Sequence, residues 1–346
     1  MRNKHDQGAG KIYVARRLFL GDFARTGLAA LATPALAANW MANAHAADSR
    51  TYSGVLYGLE LEGALVGRVS AVSGGTYVGE LATLKPGPDY IQRKRIGGAR
   101  IEPITLETTS PMAKPFNDWI KSSIEPGAKF LRKNGAIVAA DPSGKELWRR
   151  NFSDAVISSV QFPACDAASK DPAKLSVTFA PREVALTSGK GTLSPQAQQS
   201  VRVPMRDQSF RLRIQGLESA TEHVREIDAP TVKVTTALRA VGEKRDYESA
   251  PSTIDVANLA MIVPDAFLGP FYAWHEDFVR KGNNGPDRER VGVLEYLTPD
   301  RKSSLLTLNL FNLGIFKIAQ EVSSRDERPY SKVEMYCQAM TVDFKV

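Results

Sequence analysis

The chain has 346 residues, long for one domain and sufficient for two, and its 43% hydrophobic and 24% charged residues are ordinary globular values. No stretch reaches the uninterrupted apolar length of a membrane-spanning helix. The formal charge is +7. Residues 1–46 hold six basic and two acidic side chains, so they contribute +4 and the remainder carries +3, too little to argue for a nucleic-acid partner.

Residues 1–46 read first as an export signal. Arg16 and Arg17 precede the apolar pair Phe19 and Leu20 across Leu18, and a mildly apolar Ala/Gly stretch runs from Gly27 to Ala38. Ala44-His45-Ala46 has the small-x-small pattern of signal peptidase. The segment resembles a twin-arginine signal. That implies the twin-arginine translocon as a transient partner, folding before export, a mature start near Ala47, and a periplasmic or extracellular location. The same residues also fit a disordered or amphipathic arm.

The next feature is self-similarity. Tyr57, Leu59, Leu61 and Gly63 alternate as a half-buried strand ending in a glycine turn; Phe210, Leu212, Ile214 and Gly216 repeat them 153 residues on. Val69 and Val72 recur as Val224 and Ile227, and a long polar, Gly-containing excursion follows in each half. Within the first excursion, Arg93-Lys94-Arg95 has only Tyr90 as an aromatic neighbour and reads as a solvated loop. Pro115-Phe116-Asn117-Asp118-Trp119 then opens a helix, repeated as Pro270-Phe271-Tyr272-Ala273-Trp274. Phe116 with Trp119, and Phe271 with Trp274, lie three apart on one face, which predicts core packing over ligand stacking. Pro126-Gly127 and Gly282 close the helices.

A hairpin turn follows, Asp141 to Lys145 matching Thr298 to Lys302. Asn151, Ile157 and Val160 then match Asn309, Ile315 and Ile318 at an offset of 158. The last strands align Leu175, Val177 and Phe179 with Val333, Met335 and Cys337, also at 158. The expected organisation is a signal at 1–46, a first domain at 47–186, a linker at 187–207 and a second domain at 208–346. The fold class is mainly β with some α: two tandem antiparallel sandwich or barrel domains, each carrying one packed helix.

The copies resemble the tail tube proteins of contractile phages and, more distantly, the type VI secretion tube protein. The resemblance lies in Leu59-Glu60-Leu61-Glu62-Gly63, Val72-Ser73-Gly74-Gly75, the loop Arg95-Ile96-Gly97-Gly98, the run from Ile104-Thr105-Leu106 to Trp119, and the strand from Trp148 to Asn151. It covers 53–186 closely and 208–346 more loosely. It implies a structural, self-assembling subunit and six-fold rings. If both copies take ring positions, three chains make a trimer with pseudo-six-fold symmetry; if they stack, six chains make a double ring.

No catalytic, cofactor or metal residues are expected. His223 and His275 are isolated, and Gly189-Lys190-Gly191-Thr192 lacks the glycine frame of a phosphate loop. Cys337 is expected as a small buried side chain on the face held by Phe179 in the first copy, with Cys165 in a loop. A disulfide between them is the lesser reading. A periplasmic binding module on the same fold is the alternative function, and a hydrolase a weaker third reading without assignable residues.

Overall fold

A computed structural model describes residues 54–86, 89–110, 112–193, 205–241, 246–321 and 329–345. The signal residues Arg16, Arg17, Phe19, Leu20, Ala44 and Ala46 lie outside them. The first half supplies β1 (Leu56–Leu61), β2 (Ala64–Val69), β3 (Ala71–Ser73), β4 (Tyr77–Thr83), β5 (Lys94–Ile101), β6 (Ile104–Thr108) and helix α1 (Lys114–Ile124). β7 (Lys133–Ala140), β8 (Glu146–Gln161), β9 (Cys165–Asp166), β10 (Leu175–Ala180) and β11 (Glu183–Ser188) follow. The second half supplies β12 (Phe210–Ile214), a helical turn at Glu218–Thr221, β13 (Glu226–Ile227), β14 (Thr231–Val241), β15 (Asp246–Val256) and β16 (Leu259–Pro264). Helix α2 (Gly269–His275) continues as a π-turn over Glu276–Arg280, before β17 (Arg290–Leu297), β18 (Ser304–Glu321) and β19 (Tyr330–Phe344).

The halves build the same sheet. One is ordered β1-β7-β8-β10-β6-β3, the other β12-β17-β18-β19-β16-β13, antiparallel throughout. Equivalent backbone irregularities recur. Gly63 and Gly216 turn at φ 80° and 73°, Gly127 and Gly282 at 79° and 75°. Asp154 and Asn312, non-glycine residues at φ 48° and 55°, sit at the same bulge beside β7 and β17. β11 continues the line of β10 along β8, as the far half of β19 does along β18. The main difference between the sheets is at one edge: β2 flanks β1, whereas the helical turn at Glu218–Thr221 holds that place in the second half.

Three expectations change. The polar excursion is a hairpin in each half, β4–β5 and β14–β15, so Lys94 and Arg95 open a strand instead of lying in a loop. In β4–β5, Gly79, Gly97 and Gly98 interrupt the period. The last strands correspond at an offset of 156, not 158, so Phe179 matches Met335. A shared bulge that skips Ser158 in one ladder and Phe316 in the other sets this register. A slip of two keeps every side chain on its face, so Cys337 is still buried. Finally, Cys165 lies in β9, which the pattern of only two paired residues could not announce.

The core runs continuously through both halves. Phe116, Trp119 and Phe271 are at most 1% exposed and Trp274 is 5% exposed. The Trp119 indole N–H donates to the Leu131 carbonyl at 2.8 Å, while the buried Trp274 N–H has no acceptor among the described residues and its ring lies under the Arg290 guanidinium at 4.7 Å. In the segment expected as linker, Thr187 and Ser188 belong to β11 and Leu193 is buried; 194–204 lie outside the described residues.

Candidate functional site

The two copies meet along a seam of paired strands. The tail of β8 has β10 on one edge and, on the other, β14 from the second copy: Thr231 opposite Gln161, Val232 opposite Val160, Lys233 opposite Ser159. Alternation places Val160 and Val232 inward, and both are fully buried. β9 crosses in the other direction and pairs with β13, Cys165 opposite Ile227 and Asp166 opposite Glu226. The backbone between these ladders is also satisfied across the seam. The Phe162 N–H donates to the Pro230 carbonyl at 2.8 Å and the Ala167 N–H to the Arg225 carbonyl at 2.9 Å.

A buried phenol fastens the middle. Tyr296 of β17, 1% exposed, donates its hydroxyl hydrogen to the Pro163 carbonyl at 2.6 Å. Burial and the neighbouring Cys165 raise its pKa well above the ordinary tyrosine value, so it remains a donor. Burial likewise raises the Cys165 thiol and pushes Cys337 up to about 11. Both thiols are free, which removes the disulfide reading and leaves two small apolar side chains.

Helix α1 completes the seam by packing on β19 of the second copy. Lys121 pairs with Asp343 at 3.0 Å, which lowers the Asp343 pKa, and the Val342 N–H donates to Glu125 Oε1 at 2.9 Å. Ile124, Met340 and Val342 are buried. A hollow of about 360 Å³ lies over the seam, lined by Ser159, Gln161, Ser176, Thr178, Thr231, Lys233 and Ala257.

Two further features singled out in the sequence have partners within the chain. The Gly189–Thr192 segment does point backbone N–H groups at an anion, but the anion is the chain's own Glu146. Its buried carboxylate accepts from Lys190 N at 3.3 Å and Gly191 N at 3.1 Å and pairs with Arg149 at 2.8 Å. Arg149 also pairs with Glu60. His223 stacks on Phe267 with centroids 3.5 Å apart. Among the described residues no group of three His, Cys, Asp or Glu could hold a metal ion, and no helix is long and apolar enough to cross a membrane. The seam residues Ser159–Gln161 and Thr231–Lys233 gave no sequence signal beyond strand alternation, because a pairing across the two copies leaves no local pattern.

The sequence matches no family model and no curated protein. Solved structures similar to the chain include a PVC sheath/tube terminator of an extracellular contractile injection system, in the extended state. It is 22% identical with a TM-score of 0.33, over 38% of this chain and 93% of that one. The cap that terminates the anti-feeding prophage tube is 22% identical with a TM-score of 0.33, over 40% and 89%. Hcp1 from Flavobacterium johnsoniae is 18% identical with a TM-score of 0.28, over 40% and 98%. Each of these structures is matched nearly whole, over about two fifths of this chain.

Proposed function

We propose that the chain is a structural subunit of a ring or tube of the tail-tube type, exported across the inner membrane. The observation that supports it is the seam. Two copies of one sheet already stand edge to edge in a single chain, joined by β8–β14 pairing, with one compact hydrophobic core across the join. A fold that meets its own duplicate this way uses complementary surface as its function. The six-fold rings implied by the tail-tube resemblance would then be filled by three chains, the copies alternating. Export rests on Arg16-Arg17 and Ala44-His45-Ala46 and places the assembly in the periplasm or outside the cell.

Two experiments test this. Electron microscopy of the chain beginning at Ala47 should show rings or tubes; monodisperse monomers at every concentration would count decisively against assembly. Replacing Arg16 and Arg17 by Lys should hold the precursor in the cytoplasm, and unchanged delivery would remove the export part alone.

The hollow over the seam favours a second reading, a periplasmic binding module on the same fold. A monomer whose melting temperature rises with a periplasmic fraction would support it over the first.

A further inference from the structure

The seam has two sides, and the duplication repeats both. The first copy contributes a strand tail, β8, and a helix, α1. The second contributes a hairpin, β14–β15, and the far half of β19. Each element has a counterpart in the other copy. The second copy has its own strand tail in β18 and its own helix in α2 with the π-turn. The first copy has its own hairpin in β4–β5, and β11 stands for the far half of β19. Among the described residues, none of these four counterparts has the partner that its equivalent has.

The ladders fix the correspondence residue by residue. Tyr77 lies opposite Ile101 in one hairpin as Val232 lies opposite Val256 in the other, so Tyr77 corresponds to Val232. Asp154 and Asn312 at the equivalent bulge make Ile318 correspond to Val160. Leu186 lies opposite Arg150 as Val342 lies opposite Leu308, so these also correspond. By residue count alone, Val279 follows Trp274 by five positions as Ile124 follows Trp119, with the π-turn intervening in the second copy.

Burial then divides along this mapping. Val232, Val160, Val342 and Ile124 are at most 1% exposed, within the seam. Three of their equivalents are open, Tyr77 62%, Leu186 67% and Val279 44% exposed, while Ile318 is partly buried and packs against the core. Leu81 and Ile96 on the same free hairpin are also exposed, at 68% and 69%. A two-stranded hairpin standing alone in water is marginal, and an unpaired strand edge with apolar side chains invites another strand. On the other side, β17 leaves β18 after Leu313, and no described strand takes the edge at Lys317–Ala319.

We infer that these open surfaces are the two halves of a second seam, and that the occupant is a second copy of this chain. The outer edge of β4 pairs with the tail of β18 of the next chain, Tyr77 opposite Ile318 and Val78 opposite Lys317. The π-turn at Glu276–Arg280 of that chain packs Val279 on Leu186. The contact is heterologous, head to tail, so each chain donates one hairpin and accepts another. The proposal rests on the assembly reading above and specifies the surface and register that reading leaves open.

The test uses the chain from Ala47 onward, in three forms: unaltered, with Tyr77→Asp, and with Ile318→Asp. A carboxylate placed inside a dry strand junction should raise the concentration needed for assembly at least about a hundredfold. Tyr77→Asp should leave the melting temperature of the unassembled chain unchanged, since Tyr77 is exposed there; if Ile318→Asp fails to fold, Tyr77→Asp decides. A Val78→Cys, Lys317→Cys chain should form disulfides between chains under mild oxidation, because directly opposed strand residues meet at disulfide distance. If the unaltered chain assembles while Tyr77→Asp assembles equally well and the cysteine pair stays unlinked, the seam is wrong and the ring reading survives with another contact. An unaltered chain that never assembles overturns both.

Discussion

At the scale of single residues, the two tryptophans show what duplication keeps and what it lets drift. Both anchor a helix to a sheet and both are buried, but among the described residues only Trp119 has an acceptor for its indole N–H. Truncation to alanine should therefore cost about 3–5 kcal/mol at either site. Substitution by phenylalanine separates them. Trp119→Phe strips the Leu131 carbonyl of its donor, while Trp274→Phe removes a buried N–H that bonds to nothing. Trp119→Phe should thus be the more destabilising by about 1 kcal/mol, measured by chemical denaturation. Equal losses would show that the Leu131 bond contributes nothing.

At the scale of elements, the same substitution should act differently on equivalent strands. Val232→Asp buries an unpaired charge inside the seam and should destabilise the single chain by about 3 kcal/mol or more, whereas Tyr77→Asp should leave its melting temperature in place. Comparable melting temperatures for the two variants would mean that β14 is not held by β8. The strands with regular alternation, such as Tyr57–Leu61 and Phe210–Ile214, were legible in the sequence, as were the helices marked by Pro115 and Pro270. The hairpins were not. β4 and β5 are almost wholly exposed, so no apolar face disciplines their composition, and Lys94-Arg95 looks like any solvated run. The seam was illegible for a different reason: it joins residues some seventy positions apart through backbone bonds, which any side chain tolerates. The slipped alignment of β10 with β19 shows a third limit, since a bulge leaves no residue signature that fixes it to one position.

At the scale of the whole molecule, the assembly proposed above makes the chain, with one complete seam and the two separated halves of another, a third of a ring. Heterologous contacts of this kind either close or run on as a filament, and the alternation of two copies in a six-position ring closes after three chains. The competing layout, with copies in successive layers, needs six chains and leaves the side-by-side pairing of β8 with β14 without a role in the ring. Native mass measurement of the smallest closed assembly formed by the chain from Ala47 onward separates these outcomes. The account predicts three chains per closed ring; a six-chain ring, or a stable monomer at every concentration, would contradict it.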